Sequence, residues 1–513
     1  MKNTFFATLF LLLSNIFYSQ TLDLANLATG RLVYSSILYD AKDQVYGYIY
    51  FYNQGDVDKE NIQLEYVLLD KNLNKVSNNI FTTKKYHNNF KNTVTYCNLT
   101  NSDEVFINLE HYDTGKVPYY LSSFITISIT NKTISPEYFY SEGIIKEIPQ
   151  NLSEFKKEFK DKSFSGVSGL SSNFNGYYIL EYPINGKIGS NKNLNFFNLK
   201  NELLWSYEYN PNGTKKKYNK ISINHSSNNT LYVLESSFKS DMAEEYKIIA
   251  LDPNNGHKKY EYVFENNSSE FSHNIRLKEL NGELIITGNY SKYQKNKNFD
   301  LNNNLGFYKI VLNSEGKEIS KKYTSWEEFK EQIDIDEKGR VEKNFRLLPT
   351  KYFIFKDGSI CILTEKYKPA KMGIGNFIPL PIINVIAEAA TKREEQTTDF
   401  VLFFMDKDFN FKKIKTIQKD LSKVFNYDYL FSQYIKDETE AVFFFKDYVK
   451  SEKKWILGVT TISNENIKEE RIPISSEKDN YEIIPMRAKE GYIILREYNE
   501  KDKYNQIRLE KIN

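Results

Sequence analysis

Five histidines (His87, His111, His225, His257 and His273) and two cysteines (Cys97 and Cys361) are the soft metal-binding side chains of this 513-residue chain. Zinc needs several N or S ligands held close together, usually in local pairs of fixed spacing. The histidines form no two-His motif at helical spacing, so no zinc site is expected. Asp334-Ile-Asp336-Glu-Lys-Gly339 starts like a calcium loop, whose oxygens alternate before a Gly bend. Lys338 stands where an oxygen is needed and Phe345 where a bidentate acid belongs, so the stretch reads as a polar turn. Gly166-Val-Ser168-Gly169 comes nearest to a nucleophile elbow, but its second Gly falls one place early and a Ser/Gly loop is the better reading. Asp399, and Asp406 with Asp408, read as turn acids; two glycosidase carboxylates set across a cleft would not be visible in a linear sequence. Phosphate-cradling Gly loops are absent. No catalytic, cofactor-binding or metal-binding residue is therefore assigned, and no cofactor is expected.

The elements that would have to position any such residue are strands. Tyr66-Val-Leu-Leu-Asp-Lys-Asn-Leu-Asn-Lys-Val76 is an apolar strand, an Asp/Asn turn and a returning strand. Asp and Asn bond their own backbone in turns, and Gly tolerates the left-handed conformation. Relatives of this hairpin recur, each preceded by a strand dense in aliphatic and aromatic residues. Those strands begin at Val45, Glu104, Gly176, Thr230, Glu283, Ser359, Ala441 and Gly491. A Gly just before a strand is expected to supply the positive φ of a tight hairpin. Repeating units of four antiparallel strands are the blades of a β-propeller, which closes radially to protect its edges. The chain is thus expected to be all-β, with about eight blades; seven blades or stacked β-sandwich domains are the alternatives. No WD dipeptide or kelch double glycine recurs. The last unit has only three strands, and Thr21 to Leu27 could lend it a fourth from the other end of the chain. Two short helices are expected between blades. One is Asn151 to Lys160, with apolar residues at helical spacing; the other follows the capping box Ser325-Trp-Glu-Glu328.

Composition agrees with strands: aromatics make up 15% of residues, with 39 Tyr and 36 Phe. Most of these rings fall in strand positions, so packing rather than sugar stacking is their expected role. The formal charge of +2 offers no basic footprint for nucleic acid. Cys97 and Cys361 each lie in an apolar strand pattern and are expected to be buried free thiols. Lys2, the apolar run Phe5 to Leu13 and Ser19 before Gln20 read as a signal peptide over residues 1–19, followed by one propeller domain over 20–513. The ending Phe-Tyr-Ser-Gln, with abundant Asn, Lys and Tyr, resembles exported proteins of Bacteroidota. That resemblance implies an uncharacterised exported propeller of the cell envelope.

One insertion breaks the repeat, an apolar stretch over 368–398 inside the sixth unit. Its Ile374, Phe377, Ile378, Leu380, Ile382, Ile383, Val385 and Ile386 are the candidate contacts for a partner or a membrane surface. Gly373, Gly375, Pro379 and Pro381 argue against a spanning helix. The expectation is an exported, monomeric, non-catalytic binding or scaffolding protein, periplasmic, outer-membrane-associated or extracellular. Its partner would be an unknown protein or glycan, not nucleic acid. The alternatives are a glycan or peptide hydrolase with its site in the propeller channel, and a peripheral membrane component of the envelope.

Overall fold

The computed structural model describes residues 20–512 except 88–89, 101–102, 114–119, 142, 160–168, 174–175, 182–191, 212, 215, 228, 240–241, 265–270, 294–303, 343–344, 369–395, 423–427, 464–465, 475–480 and 500–503. The expected leader therefore lies outside the described residues, as do Gly166-Val-Ser168 and the apolar run Ile374 to Ile386. The strands form eight antiparallel sheets, the blades of an eight-bladed β-propeller. In chain order the blades cover 31–84, 90–147, 169–208, 217–263, 271–325, 340–417, 429–473 and 482–511. Each of the eight strands singled out by sequence is present, from Val45–Asp56 to Tyr492–Asn499, second in its blade except in blades 5 and 6, where an extra short strand precedes it.

Two compact units divide the chain. The first comprises Met1–Tyr182, Leu194–Ser206 and Ser476–Asn513, and holds blades 1, 2 and 8 with most of blade 3. Its inner strands are buried on both faces: Tyr48, Ile49, Tyr50, Phe51 and Tyr52 are all at most 1% exposed. A sheet covered on both sides replaces the usual alternation with a continuous apolar run, which explains the sequence Tyr-Gly-Tyr-Ile-Tyr-Phe-Tyr. Blade 8 is completed from the far end of the chain. Gln20–Asp23 pairs antiparallel with Tyr504–Lys511, Leu22 opposite Ile507. Behind it Leu24 is fully buried, and its carbonyl accepts from the Tyr52 hydroxyl at 2.7 Å. The helix Leu152–Phe159 forms as expected and buries Phe155 against Tyr86 and Phe90.

The second unit, Pro183–Asn193 with Tyr207–Ser475, holds blades 4 to 7. Its outer strands, such as Lys258–Val263 and Phe411–Ile417, are Lys-rich and partly exposed. Lysines on an edge strand discourage pairing with another chain. The expected capping box is present, with the Ser325 N–H donating to Glu328 Oε1 at 3.0 Å, but it opens a single 3-10 turn, Trp326–Phe329. That turn exists to bury Trp326, whose Nε1–H donates to the Asn304 carbonyl at 2.9 Å.

The Asp/Asn turns share one design. At Asp70 the side-chain Oδ1 accepts from the Asn72 and Asn74 amides, both at 2.8 Å, while Leu73 takes φ +69°. The same bonds recur at Asp40, Asn198, Asn313, Asp336 and Asp406, with Asp43, Asn201, Gly316, Gly339 and Phe409 in the left-handed position. The Asp334 stretch is thus a polar turn. Three details differ from expectation. Gly282, Gly358 and Gly491 do have positive φ, but Gly176 does not; a Cβ there would sit 2.0 Å from the Phe197 carbonyl oxygen. In blade 2 the fourth strand does not follow the Asn131 turn directly but is the short Tyr138–Ser141, because Pro136 has no N–H to continue a ladder. Asp399 lies in the strand Gln396–Met405, not in a turn.

Candidate functional site

A dense arrangement of ionisable groups lies where the repeat is interrupted. The blade 6 strand Ile360–Lys368 carries Glu365 and Lys366 near its end, and the next strand, Gln396–Met405, carries Thr397 and Asp399 near its start. Between blades 6 and 7 the connecting segment brings in Lys419 and Asp428. Lys419 Nζ donates to Glu365 Oε1 at 2.7 Å and Asp428 Oδ2 at 2.5 Å, and lies 4.6 Å from the centroid of the Phe400 ring. Asp428 also accepts from Thr397 Oγ1 at 2.9 Å. The side chains of Glu365 and Lys419 are 0% exposed and that of Asp428 4%. Flanking pairs extend the seam. Asp399 accepts from Lys366 Nζ at 2.9 Å and from the Lys419 amide at 3.2 Å; Asp447 of blade 7 accepts from Arg471 Nη1 at 2.9 Å.

Burial shapes the chemistry of these groups. It drives the Glu365 carboxyl up to about 7, with Lys419 opposing. Asp447 is likewise raised by burial, against the Asp420 amide and Arg471. Burial pulls Lys366 down, but Glu342 and Asp399 outweigh it and hold its ammonium above the ordinary value. A raised carboxyl beside a lysine is the raw material of general acid catalysis. Here the pair is not presented to a substrate, since among the described residues all three central side chains are enclosed and ligated by one another.

A second constellation sits in blade 2, where a nucleophile, an imidazole and a carboxylate meet. His111 Nε2 lies 2.6 Å from Glu137 Oε1 and 2.8 Å from Ser123 Oγ, and the Ser123 hydroxyl also bonds to Glu137. His111 Nδ1 lies 2.9 Å from the Lys84 carbonyl, which can only accept, so Nδ1 carries a proton. A serine nucleophile needs the free lone pair of an imidazole whose other nitrogen faces the carboxylate. In blade 2 serine and carboxylate share one nitrogen, and His111 and Ser123 are fully buried. Burial pushes Glu137 up, but His111, Ser123 and Thr83 outweigh it and hold the carboxyl below its ordinary value. The cluster is a structural lock.

The remaining sequence candidates stay apart. His225 stacks on Tyr232, and burial lowers its pKa. His273 packs among Tyr308, Tyr323 and Phe264, and burial lowers it to about 4. His87 reaches Asp113 at 3.1 Å. Among the described residues no group of three His, Cys, Asp or Glu could hold a metal ion. Cys97 and Cys361 are buried free thiols. Trp205 and Trp326 are core; Trp455 is 44% exposed, beside Tyr448. No helix among the described residues is long and apolar enough to cross a membrane.

One concavity opens at the other end of blade 6. A cleft of about 230 Å³ lies between the turn 355–359 and the turn 405–410, with Phe355, Ile360, Phe404 and Met405 on its buried side and Asp357 and Lys407 toward solvent. Lys309 of blade 5 ties the two turns together, donating to the Lys407 carbonyl at 2.6 Å and the Gly358 carbonyl at 3.4 Å. Blade 7 braces the first turn: the Lys356 amide donates to the Glu438 carbonyl at 3.1 Å, and Lys356 pairs with Asp437. Lys436, Asp437 and Glu438 all have positive φ, of 50°, 54° and 61°. Left-handed backbone in three consecutive non-Gly residues costs on the order of 1 kcal/mol each and persists only where surroundings hold it. Sequence could not reveal this cleft, because its walls are turns that read as ordinary punctuation.

Solved structures match this chain at low identity and low structural similarity. A prolyl endopeptidase matches at 9% identity and TM-score 0.40, over 92% of this chain and 54% of that one. The WD40 domain of SCAP from fission yeast matches at 6% and 0.38, over 96% and 98%. The polysaccharide lyase Uly1 matches at 8% and 0.39, over 96% and 99%. The chain spans about half the length of the prolyl endopeptidase, 54%. At such scores these likenesses carry no inference about activity. No curated protein matches the chain in sequence. Residues 1–513 match the model of a family of unknown function, DUF6770, and the chain belongs to that family.

Proposed function

We propose that this protein is an exported, non-catalytic binding or scaffolding module of the cell envelope. The observation that carries the reading is a contrast within the fold. Its two acid–base constellations, at Lys419 and at His111, are enclosed and consumed by their own partners. The blade 6 cleft, by comparison, is open and braced by strained turns. Rigidly held loops on a scaffold are where binding function concentrates. The leader-like stretch from Lys2 to Ser19 supports export. The ligand class favoured is a protein segment or a glycan, which apolar walls with a polar rim can accommodate.

The test uses the purified mature chain, immobilised and exposed to peptide and oligosaccharide libraries, with retained and released material identified by mass spectrometry. Retention of intact ligand, weakened at least tenfold by Phe355→Ala or Asp357→Ala, is the expected result. Stoichiometric release of cleaved products, insensitive to those substitutions, would replace it with the hydrolase reading. Export is checked separately by N-terminal sequencing of the protein from the cell envelope; a chain still starting at Met1 in the cytoplasm rejects it.

A further inference from the structure

The seam between blades 6 and 7 holds more acid than base, and this imbalance has a use. Two flanking bases are already matched: Lys366 by Asp399 and Glu342, and Arg471 by Asp447 and Glu469. That leaves Lys419 alone between Glu365 and Asp428, one ammonium for two carboxylates in a fully enclosed space. From the remaining neighbours, Asp420 spends its Oδ2 on the Lys450 amide, and Thr397 Oγ1 serves Asp428. On the strand Phe345–Ile354, Arg346 occupies the same face as Glu365, because Leu348 pairs with Glu365 and Arg346 with Tyr367. Its Nη1 is buried without a hydrogen-bond partner among the described residues. Glu365 Oε2 is buried without one too. An ionised oxygen in that position is far costlier than a neutral hydroxyl, and an unmatched buried charge is removed most cheaply by taking up a proton.

We propose that this seam is a proton-controlled latch between blades 6 and 7, which takes up one proton at Glu365 and is tight when protonated and strained when fully ionised. The elevated Glu365 carboxyl, at about 7, places the change within the ordinary working range. Its folded value stands above the ordinary 4.5, so the stabilisation is complete below that value and is lost as pH rises through about 7. The second carboxylate matters as well: the charge of Asp428 raises Glu365, while the Asp428 amide lowers it.

The experiment is hydrogen–deuterium exchange on the full chain between pH 5.5 and 8, corrected for intrinsic rates and read on peptides covering 360–368, 396–405 and 418–422. In the wild type, exchange through these segments is expected to rise roughly tenfold or more across the window. Glu365→Gln, neutral at every pH, should abolish that rise and match the wild type at pH 5.5. Asp428→Asn should move the wild-type midpoint to lower pH, which keeps the test decisive even where Glu365→Gln does not fold. A wild type with no rise, a Glu365→Gln protein with the wild-type slope, or an unmoved midpoint in Asp428→Asn would each overturn the latch.

Discussion

Asp70 shows how much one turn residue does. Its Oδ1 takes two backbone amides and its Oδ2 the Asn74 side chain at 2.9 Å, so it organises the whole reversal. Burial pushes its carboxyl up, but the Asn74 side chain and the neighbouring amides outweigh this and hold it below its ordinary value. By analogy with helix caps, Asp70→Ala is expected to cost about 1–2 kcal/mol in urea denaturation, and Asp70→Asn, which keeps the acceptor, much less. Glu137 is a different case because it is enclosed. Glu137→Gln replaces the carboxylate that accepts from Thr83 and Ser123 and faces His111 by a neutral amide, and loss of hydrogen bonds to a buried charged acceptor typically costs about 1–3 kcal/mol. The folded value of Glu137 is depressed, so its contribution is present above the ordinary 4.5 and is lost as pH falls through the folded value. A wild type and a Glu137→Gln variant should therefore converge in stability in acid; equal stability at pH 7 would show that the His111 lock carries no weight. The Asp70 turn was legible in the sequence because all its partners lie within four residues. The Glu137 lock was not, since Thr83, His111 and Ser123 reach it from three different strands.

At the level of elements, periodicity recovered the strands because each inner strand is an unbroken apolar run, and a run buried on both faces is unmistakable. Closure of blade 8 by residues near Thr21 was also legible, since a three-stranded final unit leaves an edge that needs covering. The seam at Glu365 was not, because Thr-Glu-Lys-Tyr-Lys at the end of the strand Ile360–Lys368 looks like a solvated strand end. Its partners Lys419 and Asp428 come from the connector to the next blade, 54 residues beyond Glu365 in the case of Lys419. The closing strand makes a direct prediction. Proline has no N–H to give to a ladder, so Leu22→Pro should strip Gln20–Asp23 from Tyr504–Lys511. Exchange at 504–511 should then approach that of an exposed edge, while 454–463 in blade 7 keeps its protection. Unchanged protection at 504–511 would mean that blade 8 does not depend on its borrowed strand.

For the molecule as a whole, the fold settles architecture and leaves activity to particular surfaces, as propellers with unrelated functions require. What the whole chain does dictate is where its reactive groups may appear. The two thiols are carried one in each compact unit, Cys97 in the first and Cys361 in the second. Both are buried, 5% and 0% exposed, and burial pushes both well above the ordinary thiol value. A thiol reacts as its thiolate, so both should resist an alkylating reagent in native buffer at neutral pH, and Cys361 should be the slower. Mass tagging along a urea series then reads the opening of each unit at its own cysteine. Rapid modification of Cys361 in native buffer would contradict the packing of blade 6, where Cys361 faces Phe353 across the first strand pair and Phe404 across the second. Cys361→Ser should lower stability by about 1–3 kcal/mol, because a hydroxyl placed in that apolar setting loses water without gaining an acceptor.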